Sequence, residues 1–134
     1  MNNNINIYAL TNLRVILNSK IYNNNFNELL EIIKEDTKCI IDNIDYIGHK
    51  FTVVKDDCND SSLLIRQICT SVCKFLNKRK LDIDVALTDI KRLDDREEAS
   101  EVLNNILVGN YVHMIMNIMN VSTEPNKTQL IIIM

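Results

Sequence analysis

The chain has 134 residues, 46% of them hydrophobic, which is enough to form one domain with a core of its own. Two Gly and one Pro leave few obligatory breaks, and this favours long helices over sheets, which need more turns. The net charge of −3 argues against a nucleic-acid-binding protein, because such proteins usually present a basic face.

Apolar residues at helical spacing predict most of the elements. In chain order, helices are predicted over residues 5–18, 25–47, 61–76, 82–90 and 95–120. Residues 49–60 stay open between loop, a short strand and one helical turn. The predicted fold is therefore all-α: a single-domain bundle of five to seven helices over residues 1–124, followed by a C-terminal tail over residues 125–134. The β-branched run that closes the tail is a short strand, a packed tail or disordered.

Capping patterns set the expected helix ends. Asn25 and Glu28 form a capping box for the second helix, and Gly48 stands at its C′ position. The hydroxyl of Thr37, a polar position on that helix's apolar stripe, is expected to bond back to the carbonyl of Ile33. Further N-caps are predicted at Asp60 or Ser61, at Asp82, and at Asp95 with Glu98.

The last predicted helix carries two apolar stripes instead of one. The second stripe has the spacing i, i+4, i+7, i+11 and consists of Val108, Val112, Ile115 and Met119. Either this helix is central and wrapped by the others, or one stripe contacts a protein partner or a second copy of the chain. Gly109 allows a break, although a continuous helix is the preferred interpretation.

No constellation of residues indicates catalysis. The candidate soft ligands are four Cys and two His, and no pair has the C-x2-C spacing of a zinc site. We therefore expect no catalytic residue, no metal and no cofactor, and the protein is predicted not to be an enzyme. The one basic cluster, within residues 74–80, is interpreted as a solvated helix end.

No targeting signal is recognised in the sequence either. Asn residues interrupt any signal-peptide core in the first twenty positions, and no apolar run is long enough to span a bilayer. A cytoplasmic protein with reduced Cys is predicted. The 19 Asn and 20 Ile indicate an AT-rich genome, such as that of a virus, a protozoan or a low-GC bacterium.

Three stretches resemble the poxvirus Bcl-2-like immunomodulatory proteins: residues 22–29, residues 64–69 and residues 111–120. The resemblance covers about half of the chain. It implies a Bcl-2-like helical bundle in the host cytoplasm that binds host proteins and inhibits NF-κB signalling or apoptosis. Some members of the family hold a BH3 helix in an apolar groove, whereas others dimerise or bind signalling proteins through a helical face. The Asn-Trp-Gly-Arg signature and the C-terminal membrane anchor are missing here, which favours the second activity.

The sequence thus supports two functions of different classes. The first is the viral inhibitor that the resemblance implies. The alternative is a helical structural or assembly protein that self-associates, as a homodimer or larger assembly, and has no host target.

Overall fold

The computed structural model describes residues 7–134 and shows an α+β fold, so the all-α prediction is wrong. The α-helices are α1 (Ile7–Ile16), α2 (Asn23–Thr37), α3 (Ser61–Lys78), α4 (Lys80–Leu87) and α5 (Leu93–Leu107). A π-helix, Leu17–Tyr22, joins α1 to α2, and a 3-10 turn, Val112–Met114, follows α5. Residues 5 and 6 of the first predicted helix lie outside the described residues.

Four strands form one antiparallel sheet. They are β1 (Ile40–Asp45), β2 (Lys50–Asp56), β3 (Asn117–Asn120) and β4 (Lys127–Ile133), in the spatial order β1-β2-β4-β3. The pairs β1–β2 and β3–β4 are consecutive along the chain. The central pair, β2 with β4, joins segments about 75 residues apart, and α3, α4 and α5 lie between them in sequence.

One hydrophobic core lies between the helices and one face of the sheet. Phe26 of α2 packs edge-on against Phe51 of β2, with ring centroids 5.8 Å apart. On the helical side, Tyr22 of the π-helix stacks on Phe75 of α3 at 6.3 Å. All four of these rings are buried, so the described residues form two layers, a helical layer and a sheet.

The second predicted helix is ten residues too long at its C-terminal end. It stops at Thr37, because Lys38 adopts the left-handed conformation (φ 56°) that ends a helix. At its N-terminal end α2 begins at Asn23, directly after the π-helix, and its backbone is kinked at Asn25 (φ −131°, ψ 16°). The Asn25 amide does not point forward as a cap but donates to the carbonyl of Ile21 at 3.1 Å. The predicted bond from Thr37 to the carbonyl of Ile33 is confirmed at 2.7 Å.

The predicted caps of the later helices have mixed outcomes. Asp60 caps α3 as expected, with its carboxylate accepting from the backbone N–H of Leu63 at 3.1 Å. The cap predicted at Asp95 is wrong, because α5 already begins at Leu93. Asp82 lies within the first turn of α4 rather than before it.

The last predicted helix ends 13 residues early. Helix α5 ends at Leu107. Gly109 follows with φ +94°, a backbone conformation that residues with a Cβ rarely adopt. The segment beyond forms the 3-10 turn and β3. The closing residues are likewise not a separate tail. Lys127–Ile133 form β4, which lies inside the sheet between β2 and β3, so the short-strand alternative is the one observed.

Candidate protein-binding surface

The register of the sheet sorts its side chains into two faces. On β2 and β4, Phe51 pairs with Ile132, and Val53 pairs with Leu130. These four side chains are buried and belong to the core beneath the helices. Because side chains alternate along a strand, the residues between them project from the opposite face.

We call this opposite side the outer face. Its non-charged side chains are Ile40 of β1, Thr52 and Val54 of β2, Asn117 and Met119 of β3, and Gln129, Ile131 and Ile133 of β4. At the two edge strands, Ile40 and Met119 are 55% and 59% exposed. Val54 and Ile131 in the centre are partly exposed, and neither belongs to the core cluster or packs against it. The outer face therefore exposes five aliphatic side chains, although Thr52 at its centre is buried (6% exposed).

An open sheet face of this composition is unusual. An antiparallel sheet that packs on one side normally alternates apolar with polar residues, so that its free face is polar. Strand β4 instead runs Leu-Ile-Ile-Ile from Leu130 to Ile133, which places branched aliphatic side chains on both faces. Such a run is typical of a strand that is covered on both sides.

Charged side chains lie at the two ends and along one margin of the outer face. At one end Asp56 of β2 pairs with Lys127 of β4. At the other end Lys50 lies at the start of β2, and Asp42 lies on edge strand β1 opposite Thr52. Two Lys and two Asp thus surround a centre in which Val54 and Ile131 lie beside the neutral polar side chains of Thr52 and Gln129. Charged groups at the rim and none at the centre are typical of a protein interface.

The stripe predicted from the sequence is not one surface. Val112 and Ile115 are 4% and 2% exposed and lie in the core, so they are unavailable to a partner in this fold. Val108 is 73% exposed, just beyond the C-terminal end of α5. Met119 lies on β3, on the outer face. The break at Gly109 separates these residues, and contact of Val108 or Met119 with a partner stays a prediction.

Most of the outer face was missed because the strands themselves were missed. Two signals for it exist in the sequence. Four consecutive branched aliphatic residues close the chain at 130–133, and Phe51-Thr52-Val53-Val54 is rich in residues that favour strands.

The cysteines are placed as structural residues. Burial raises the pKa of the Cys39, Cys69 and Cys73 thiols, which keeps them protonated. The thiol of Cys73 also donates to the carbonyl of Ile106 at 3.1 Å. A nucleophile or a metal ligand needs the opposite shift, toward the thiolate. Within residues 7–134, no three His, Cys, Asp or Glu side chains are placed to hold a metal ion together.

A second feature is a group of buried polar atoms around the turn between β1 and β2. His49 is 5% exposed and packs between the rings of Phe26 and Tyr22, with centroid distances of 5.1 and 5.9 Å. Its Nε2 atom and the Tyr22 hydroxyl are buried without a hydrogen-bond partner among the described residues. Burial lowers the pKa of His49, and the Asp45 carboxylate partly opposes that shift. His49 is therefore held neutral, as part of the core.

Comparisons of the chain with protein-family models, with curated proteins and with solved structures find no match. Among the helices of residues 7–134, none is both long enough and apolar enough to cross a membrane.

Proposed function

We propose that this protein acts by binding another protein through the outer face of its sheet. The observation that supports the proposal is the composition of β4 and its neighbours. Ile131, Ile133 and Met119 project from the side of the sheet opposite the helical core. Soluble proteins seldom leave a contiguous apolar patch open unless it is used. Met119 adds an adaptable side chain of the kind that binding surfaces favour.

The shape of the surface favours a protein over a small molecule. Small-molecule sites are concave and enclose most of the ligand. The outer face is one side of an open four-stranded sheet, flanked by two edge strands. Such a surface suits a second sheet or an amphipathic helix, laid on it with its own apolar side inward.

Interference with host immune signalling, which the family resemblance implies, stays a prediction about the identity of the partner. The BH3 groove is different, because it is formed between the helices of an all-α bundle, and the fold found here is not such a bundle. We therefore expect no saturable change in fluorescence anisotropy when labelled BH3 peptides are titrated with the protein. Micromolar binding of those peptides would contradict that expectation.

The proposal is tested with two matched double variants. Ile40→Glu/Met119→Glu places charges on the two edge strands of the outer face, at side chains that are more than half exposed. Leu81→Glu/Val85→Glu makes the same changes on α4, at exposed side chains remote in sequence from the sheet. Circular dichroism should show both variants folded.

Binding is then measured by crosslinking each protein in solution, with itself and in host-cell extract, and quantifying the crosslinked species. Species formed by the natural protein should persist in the α4 variant and be lost in the outer-face variant. Equal losses in both variants, or no loss in either, would contradict the proposal.

A further inference from the structure

The charges around the outer face indicate what covers it. We propose that the occupant is a second copy of this chain, bound face to face in a two-fold symmetric dimer. This inference rests on the proposed function, because it names the partner of the same surface. It also turns the two apolar faces into the inside of a sandwich of two packed sheets.

The charged side chains around the surface balance one another. Its ends and margin carry two Asp, Asp42 and Asp56, and two Lys, Lys50 and Lys127. A partner selected by charge would instead meet a face of one sign. A two-fold interface must match its own pattern, because each patch meets the same patch on the other copy.

The strand register shows which residues of the two copies would face each other. β2 and β4 are the two central strands of the order β1-β2-β4-β3, and Asp56 pairs with Lys127 at one end of them. A two-fold axis that runs along the strands lays β2 of one copy over β4 of the other. Asp56 then faces the second copy's Lys127, and Lys127 faces its Asp56. Each dimer gains two opposite-charge contacts at its rim.

The same two-fold axis relates the side chains at the centre. Thr52 on β2 pairs with Ile131 on β4, so Thr52 of each copy lies over Ile131 of the other copy. In the same row Asp42 is the residue on β1, so Met119 on β3 of one copy lies over Asp42 at the margin of the second copy. Neutral side chains therefore meet at the centre of this row, and its one charged residue, Asp42, lies at the edge of the sheet.

The size of the face sets the strength to expect. Four strands about 4.8 Å apart and about seven residues long cover roughly 400 Å² per copy. Two copies bury about 800 Å² in projection, which is less than the roughly 1,200 Å² of a stable specific interface and in the range of weak, transient ones. A concentration-dependent dimer in the micromolar range is expected, rather than an obligate one.

The test is sedimentation velocity of the full chain from about 1 to about 500 µM, the range in which a weak interface of this size associates. The natural protein and Leu81→Glu/Val85→Glu should shift from monomer to dimer together. Ile40→Glu/Met119→Glu should remain monomeric throughout. A natural protein that stays monomeric over the whole range would overturn the dimer, and it would leave open a different protein on the same face.

A charge-swap experiment checks the register of the dimer. Asp56→Lys alone and Lys127→Asp alone should each weaken dimerisation, because each places like charges against each other across the interface. An equimolar mixture of the two variants should recover a heterodimer of at least the natural affinity. Both variants alter the same intrachain pair, so recovery in the mixture reports on the contact between copies.

Two outcomes distinguish a failure of the proposed binding surface from a failure of the proposed dimer geometry. A dimer that the outer-face substitutions leave intact would overturn both the dimer proposed here and the surface assigned as functional. A dimer that these substitutions abolish, but that the charge-swap mixture does not recover, would overturn the two-fold axis along the strands.

Discussion

Met119 on β3 lies directly opposite Ile131 on β4, and both side chains project from the outer face of the sheet. The pair joins an edge strand to a central strand. Cross-strand pairs of this kind normally stabilise a sheet from its buried side. Here the aliphatic contact lies on the side away from the core, which is the feature expected of a strand that a partner covers.

Val108 is exposed and Val112 is buried, and this difference gives a test that distinguishes the observed fold from the continuous helix that the sequence predicts. Val112 is buried, so Val112→Asp should place an unpaired charge in the core and cost about 4 kcal/mol or more of unfolding free energy. Val108 is exposed, so Val108→Asp should change that free energy by about 0.5 kcal/mol or less. Urea denaturation followed by circular dichroism measures both.

A continuous amphipathic helix would give a different result, since both residues would lie on one stripe and the two substitutions would have similar effects. Equal stabilities for the two variants would therefore contradict the fold described here.

Local sequence signals predicted those parts of the fold that local interactions determine. Helix α3 and its Asp60 cap, and the bond of Thr37 to Ile33, follow from residues within one or two helical turns. Strand β1 does not. Ile40, Ile41 and Ile44 continue the helical spacing of Ile33 and Thr37, so the periodicity extends the helix through them.

The sheet depends on contacts that no local window contains. β2 pairs with β4, which follows it by about 75 residues. Strands with apolar side chains on both faces also lack the alternation that identifies a strand in the sequence. The same holds for the candidate surface. The sequence indicated Met119, but it did not indicate Ile131, which lies opposite Met119 on β4, or Ile40 on the other edge strand.

Gly109 gives a second prediction. A Cβ at this position would meet no atom within 4 Å, so any penalty on substitution comes from the backbone conformation alone. Because φ is +94°, Gly109→Ala should cost about 1 to 2 kcal/mol of unfolding free energy, and Gly109→Asn should cost less, since Asn tolerates positive φ better. Denaturant titration of both variants measures the difference. A stabilising Gly109→Ala would indicate that α5 continues through this residue.

Glu28 gives a third prediction, about the contact of α2 with the junction of α3 and α4. Its carboxylate accepts from Lys78, at 2.5 Å, and from Arg79. These two hydrogen bonds lower its pKa, so the interaction stabilises the fold above the ordinary carboxyl pKa and is lost as the pH falls through the lowered value. Because the site is partly exposed, Glu28→Gln should cost about 1 kcal/mol at pH 7 and less in 1 M salt.

The matched control for Glu28 is Glu31→Gln. Glu31 pairs with Lys34 at 3.3 Å within the exposed face of the same helix. Its loss should cost about 0.5 kcal/mol or less. Equal effects of the two substitutions, or an effect of Glu28→Gln that does not diminish as the pH is lowered, would contradict the role given to Glu28.

His49 gives the last prediction, for the dependence of stability on pH. Burial lowers its pKa in the folded protein below the ordinary value of 6.5, so below pH 6.5 the unfolded chain takes up a proton that the folded protein does not. The unfolding free energy should therefore fall as the pH drops from 6.5 toward 5, by at most about 1.4 kcal/mol per pH unit. His49→Phe keeps a ring between Phe26 and Tyr22 and should flatten this slope. The control is His113→Gln, which replaces an exposed imidazole and leaves the buried His49 in place. Thermal unfolding at half-unit pH steps measures all three proteins, and a slope that survives in His49→Phe would show that another group titrates in this range.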